Sequence, residues 1–204
     1  MKKLLSLFAV TAVAASVAAL RAATITVNTA DNTDFSAGKT NLVTAIKSLN
    51  DGDTIAFNIP GTAGQVHYVL TPAGGYPIIT NNSVTIDGYR QPSASPNTNP
   101  IHAPNNAKIK ICLDSRSGNA TDMGNIELLG PAGENFGFGH DEWAVLGVFR
   151  GTNVNFKGLG ILSSPVGSDG VAFIKSFSFA RDYLGSCANW HVSGCWIGVD
   201  PADG

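Results

Sequence analysis

Three segments of this chain share one template: apolar, polar, apolar, polar, Gly. They are Val84–Gly88, Val154–Gly158 and Trp190–Gly194. The last two extend into a longer match, Asn153–Leu162 against Asn189–Gly198, at an offset of 36 residues. A period on that scale is the signature of a solenoid, in which each coil buries one side of its strands and stacks on its neighbours. A glycine closing each strand permits the bend from one face of a coil to the next. A β-sandwich is the competing reading, because its strands also alternate and also end in Gly. Against it stand the uneven loops and the lack of a recurring Asn-Gly or Asp-Gly hairpin signal.

The rest of the chain follows this pattern. Thr24–Thr29 alternates Ile25 and Val27 with polar residues and reads as a first strand. Leu42, Ala45, Ile46 and Leu49 then fall at helical spacing, and Asn50-Asp51-Gly52 stops the run. The period switches to two at Ile55, Phe57 and Ile59, ending at Pro60-Gly61. Further strands are expected at His67–Leu70, Tyr76–Thr80 across a Pro72–Gly75 turn, Ser83–Gly88, Lys108–Asp114, Asn125–Gly130, Ala144–Phe149, Val154–Leu162, Val171–Phe177 and Trp190–Val199. Gln91–Asn106, with four prolines, reads as a loop inside one domain. One helix ahead of many strands reads as a cap on a stack of coils. The expected fold is all-β: a right-handed parallel β-helix with an N-terminal capping helix, the cap spanning 24–60 and the coils 61–204. The segment ending WIGVDPADG stops in the middle of what reads as one more coil, and the chain is therefore expected to be the N-terminal part of a longer protein or a truncated gene product.

Residues 1–22 read as a secretion signal. Lys2 and Lys3 precede an apolar run that ends in small residues, with cleavage after Ala22 or Ala19. A membrane anchor is the alternative, but the run is near the lower limit for spanning. The mature chain, residues 23–204, loses three of the 13 basic residues and none of the 15 acidic ones, leaving a net charge of −5. No basic stripe remains, which argues against nucleic acid as a partner. Charged residues make up only 14% of the chain, below the usual ~25%, as suits a secreted or surface β-rich protein. No second apolar stretch reaches membrane length.

Several pieces resemble the N-terminal region of bacterial secreted β-helix proteins of the pectin-lyase-like fold, which often carry a so-called CSLREA segment. They are ITVNTADNT, Leu42 with Ala45-Ile46 and Asn50, GDTIAFNIPG, PIIT, VTIDGYRQP and GCWIGVDPADG. At the CSLREA position stand Thr40 to Ile46, which keep the three core-facing residues and lack the Cys, Ser, Arg and Glu. The resemblance implies the fold. It leaves function open, since the fold hosts polysaccharide lyases, glycoside hydrolases, adhesins and passenger domains.

Candidate chemistry is sparse. Gly139-His140-Asp141-Glu142 puts an imidazole beside two carboxylates in a Gly-rich loop, suited to acid/base work or to a cation such as Ca²⁺. A solvated loop is the plainer reading. Ser168-Asp169-Gly170 resembles part of the polygalacturonase motif, but the elements that should follow it are missing and a turn explains it. Phe136 and Trp143 could stack on sugar rings, and Lys157 and Arg150 could border a carbohydrate groove. Asp87 reads as a turn residue that bonds nearby amides. No zinc-ligand spacing, P-loop, G-x-S-x-G or nine-residue Ca²⁺ repeat occurs, and no resident cofactor or metal is expected. Of the three cysteines, Cys187 and Cys195 could close a small disulfide loop, although Cys195 aligns with Leu159 and is expected to face inward. The leading expectation is a secreted or cell-surface protein with a non-catalytic adhesin, passenger or structural role. The alternatives are a lyase or hydrolase and a polysaccharide-binding module, with extracellular polysaccharide or a cell-surface glycan as the partner.

Overall fold

The computed structural model describes residues 22–122, 143–163, 172–177 and 188–203. Twelve strands and one α-helix lie within them: β1 Thr24–Val27, α1 Leu42–Lys47, β2 Thr54–Phe57, β3 His67–Leu70, β4 Thr85–Asp87, β5 Ile111–Ser115, β6 Thr121–Asp122, β7 Trp143–Phe149, β8 Asn155–Lys157, β9 Leu159–Ser163, β10 Ala172–Phe177, β11 His191–Ser193 and β12 Trp196–Ile197. They form three sheets. Sheet I has the order β1-β2-β4-β8-β11, sheet II the order β12-β9-β5-β3, and sheet III the order β10-β7-β6. Every named pairing is parallel except β6 with β7. From β2 onward the chain visits sheets I, II and III in the same rotation, and it reaches sheet III first at Ile79, which bridges Val148 in parallel. The result is an all-β chain built of parallel sheets with one helix.

Register explains the interior. Ile25, Ile55, Ile86, Phe156 and Val192 occupy one row across sheet I. Val69, Leu113, Ile161 and Ile197 form the matching row in sheet II. The central members of both rows are fully buried, while Val192 and Ile197, on the last strands, remain 41% and 43% exposed. Period-two alternation therefore puts the apolar set of each strand directly above that of the strand before it.

The turn that leads into sheet I is as regular as the strands. Gly52, Ser83, Asn153 and Asn189 all have positive φ, and each stands two residues before a sheet I rung position. Their amides continue the ladder: Gly52 N–H donates to Asn82 O at 2.8 Å, Ser83 N–H to Thr152 O at 2.7 Å and Asn153 N–H to Ala188 O at 2.9 Å. Gly and Asn adopt this left-handed conformation most readily, which accounts for three of the four residues.

The helix lies where the pattern placed it. Asn41 caps it, accepting from Thr44 N–H at 2.8 Å. Leu42, Val43, Ala45 and Ile46 are buried, as is Leu49 beyond the helix end. Asp53 fastens the cap to β1. Its carboxylate accepts from the amides of Ala23 at 2.7 Å and Asn50 at 2.9 Å.

Several boundaries differ from expectation. The runs Val154–Leu162 and Trp190–Val199 are each two strands, broken at Gly158 and Gly194, which turn the chain from sheet I to sheet II with φ of 61° and 59°. Tyr76–Thr80 contributes one bridge at Ile79 instead of a strand, and Lys108–Asp114 becomes strand only at Ile111. The antiparallel pairing of Thr121–Asp122 with Trp143–Ala144 carries no sequence signal. Asn125–Gly130 lies outside the described residues.

Candidate functional site

The outer face of sheet II gathers the most connected group of ionisable side chains among the described residues. Along its outward row stand Tyr68, Cys112, Gly160 and Trp196, one on each of four strands. Asp114 lies two residues beyond Cys112 on the same face, and Arg116 follows just past the strand. After β12 the chain, residues 198–203, passes back over this face. Asp200 is brought to Tyr68, 132 residues away in sequence, which donates to its Oδ1 at 2.5 Å.

One guanidinium joins the two carboxylates. Arg116 Nε donates to Asp114 Oδ1 at 3.0 Å and Nη2 to Asp114 Oδ2 at 2.8 Å, a two-pronged contact. Its Nη1 donates to Asp200 Oδ2 at 3.3 Å. The guanidinium also lies 5.8 Å from the centre of the Tyr68 ring. Pro201 fills the notch left by Gly160, where a Cβ would meet Pro201 Cγ at 2.6 Å and Cys112 Sγ at 3.2 Å.

The electrostatics follow from these contacts. The hydrogen bonds from Arg116 hold the Asp114 carboxyl below the usual carboxylate range. The Tyr68 hydroxyl, then the Ala202 amide, do the same for Asp200. Donating to that carboxylate pushes Tyr68 up to about 12. Burial, and then the charges of Asp200 and Asp114, push the Cys112 thiol up to about 12. At neutral pH both acids are ionised and both the phenol and the thiol are protonated. A general acid needs a carboxyl whose affinity for its proton is raised, and these carboxyls are shifted the other way. The lowered carboxyls are not poised as general acids, and their contacts commit them to Arg116, Tyr68 and the Ala202 amide.

A second feature is a cleft of about 220 Å³ between the turn after β2 and the segment after β4, lined by Asn58, Pro60, Gly61, Gln65, His67 and Gln91 among others. Gln91 seals its floor by pairing both ways with Ile59, accepting from its N–H and donating to its C=O at 2.9 Å each. His67 is buried, and burial lowers its affinity for a proton, so the imidazole is neutral at neutral pH.

The sequence-derived candidates fall mostly elsewhere. His140, Asp141, Glu142, Asp169, Phe136 and Cys187 lie outside the described residues, and Trp143 opens β7 opposite Asp122. Cys195 packs against the core with its sulfur a free thiol, the inward placement expected from its alignment with Leu159. Asp87 is a turn residue, accepting from Tyr89 N–H at 3.1 Å, with Arg90 at 3.6 Å. Lys157 is half-buried beside Asp87 and Ser193 in sheet I. Arg150 lies over the Phe149 ring at 4.7 Å. Tyr68, Asp114, Arg116 and Asp200 had no local motif to reveal them. The one available signal was the i, i+2 spacing of Asp114 and Arg116 at the end of an alternating strand. Among the described residues no three His, Cys, Asp or Glu side chains converge as metal ligands, and no helix is long and apolar enough to cross a membrane.

Comparison of the chain with protein-family models, curated proteins and solved structures finds no significant match.

Proposed function

We infer that the chain is a right-handed parallel β-helix, exported by its N-terminal signal, that serves as a non-catalytic scaffold at or beyond the cell surface. The observation that carries this reading is the use of the sheet II charge group. Its carboxylates are ionised and committed to Arg116, Tyr68 and a backbone amide, so the charges fasten chain to chain. In-register apolar rows, the repeated left-handed turn and the resemblance of the cap support the coil. The right hand follows from the strong bias of parallel crossover connections. A partner, in this reading, is an extracellular polysaccharide or surface glycan held without turnover.

The test expresses the full chain with its signal in a bacterial host and incubates the exported protein with acidic and neutral polysaccharides, with and without Ca²⁺. Export without release of unsaturated or reducing sugars is the expected outcome. Sugar release from any polysaccharide overturns the scaffold reading in favour of a lyase or hydrolase, and retention in the cytosol overturns the exported one.

A further inference from the structure

We propose that residues 198–203 are a clamp that closes the outer face of sheet II and keeps the Cys112 thiol shut away from reagents and other thiols. Cys112 is an unusual residue for an outward row. Its register neighbours Tyr68 and Gly160 point it away from the interior, yet it has no exposed surface. The cover is supplied from above. Gly160 has no side chain, and the space where its Cβ would stand is bordered by Pro201 Cγ at 2.6 Å and by Cys112 Sγ at 3.2 Å, so the proline sits beside the sulfur's own niche.

The proline is held by charge on one side and by the fold on the other. Asp200, the residue before it, is tied to Tyr68 on β3 and to Arg116 after β5, and its own carboxylate accepts from Ala202 N–H at 3.0 Å. Gly198 N–H donates to Ile161 O at 2.9 Å, fixing the start of the segment on β9. The contacts thus reach three strands of sheet II. The two carboxylates that hold the clamp also disfavour a thiolate beneath it, and the thiolate is the reactive form. Steric cover and charge therefore act in the same direction. In an oxidising compartment a chain with three cysteines has one thiol beyond any single pair, and a covered, protonated Cys112 is withdrawn from exchange. That purpose rests on the exported reading above. The clamp itself does not, because it is tested on purified protein.

The experiment follows N-ethylmaleimide labelling of each cysteine by peptide mass mapping, together with the urea midpoint. Folded protein should label Cys112 at least about 100-fold more slowly than urea-unfolded protein, as for a site reached only through an opening reaction. Pro201→Gly and Asp200→Asn change only residues of the covering segment and leave the core side chains themselves unaltered. Each should speed Cys112 labelling by about tenfold or more with the urea midpoint unchanged, a local rather than global opening. Rapid labelling of Cys112 in the unaltered protein overturns the proposal. So does unchanged labelling in both variants, or an increase that only tracks a lowered midpoint.

Discussion

At the scale of single residues, the glycines that end the last two repeats, Gly158 and Gly194, have two jobs, and Tyr89 shows the second. Its ring lies over Gly158 and its hydroxyl donates to Gly194 O at 2.9 Å. A Cβ on Gly158 would meet the ring at 2.6–2.7 Å, on a backbone already at φ 61°. Gly158→Ala should therefore cost about 2–4 kcal/mol, combining left-handed strain with overpacking. Gly74→Ala, with positive φ but open space around it, should cost only about 1–2 kcal/mol. Urea midpoints of the two variants measure the difference, and equal losses would show that Tyr89 exerts no pressure on the turn. His67 supplies a pH signature at the same scale. In the unfolded chain its imidazole takes up a proton near 6.5, and burial keeps it neutral to lower pH in the fold. Below that value the unfolded state binds more protons, so stability falls as pH drops until the folded imidazole also titrates; above it the residue adds no pH dependence. His67→Gln should flatten the change in urea midpoint between about pH 7.5 and about pH 5.5. An unchanged slope would assign the dependence to other groups.

At the scale of elements, the helix was legible because its apolar spacing is local, whereas its N-cap was not. Leu42, Ala45 and Ile46 announced a buried face. Asn41 gave no sign that it also reaches outward to the preceding loop, donating to Asp34 O at 2.9 Å while it accepts from Thr44 N–H. Asn41→Ala should therefore cost about 2–3 kcal/mol, a lost N-cap plus loop carbonyls left without their donor. Ile46→Asp should abolish soluble folding, since it puts a charge into the buried face of a helix that packs on β1. Circular dichroism and protease resistance check both variants, and a normally folded Ile46→Asp protein would contradict the role of α1 as a lid. The strands were legible to the extent that they alternate. At Gly158 the template glycine marked the bend, but the expected strand Val154–Leu162 ran through it, because the apolar pattern continues past the corner. The Thr121–Asp122 pairing and the charge group on sheet II were not legible, since both depend on which distant segments stack together.

At the scale of the whole molecule, order should decay along the stack, because each rung is buried by the rungs on either side of it. Ile86 and Phe156 have neighbours above and below in the sheet I row and no exposed surface, whereas Val192, among the described residues, is paired with Phe156 alone. At the opposite end the same row stops at Ile25, but there α1 packs on β1 and Leu42 and Ala45 are fully buried. The β1 end of the row is thus covered by a helix, while among the described residues Val192, Ile197 and Val199 are 41%, 43% and 50% exposed. In a stacked array stability is nearly a sum of rung and neighbour terms, so truncating the apolar side chain to Ala should cost very different amounts at the two positions. Ile86→Ala should cost about 3–4 kcal/mol and Val192→Ala about 1 kcal/mol or less, since a side chain that is two-fifths exposed leaves no closed cavity. Hydrogen exchange should show the same gradient without mutation. Amides of β2, β4 and β8 should exchange only with global unfolding, and those of β11 and β12 through local opening. Uniform protection from β2 to β12 would mean that the last rung is as firmly held as the middle ones, and that the exposed row at that end is stabilised by contacts other than the stacking described here.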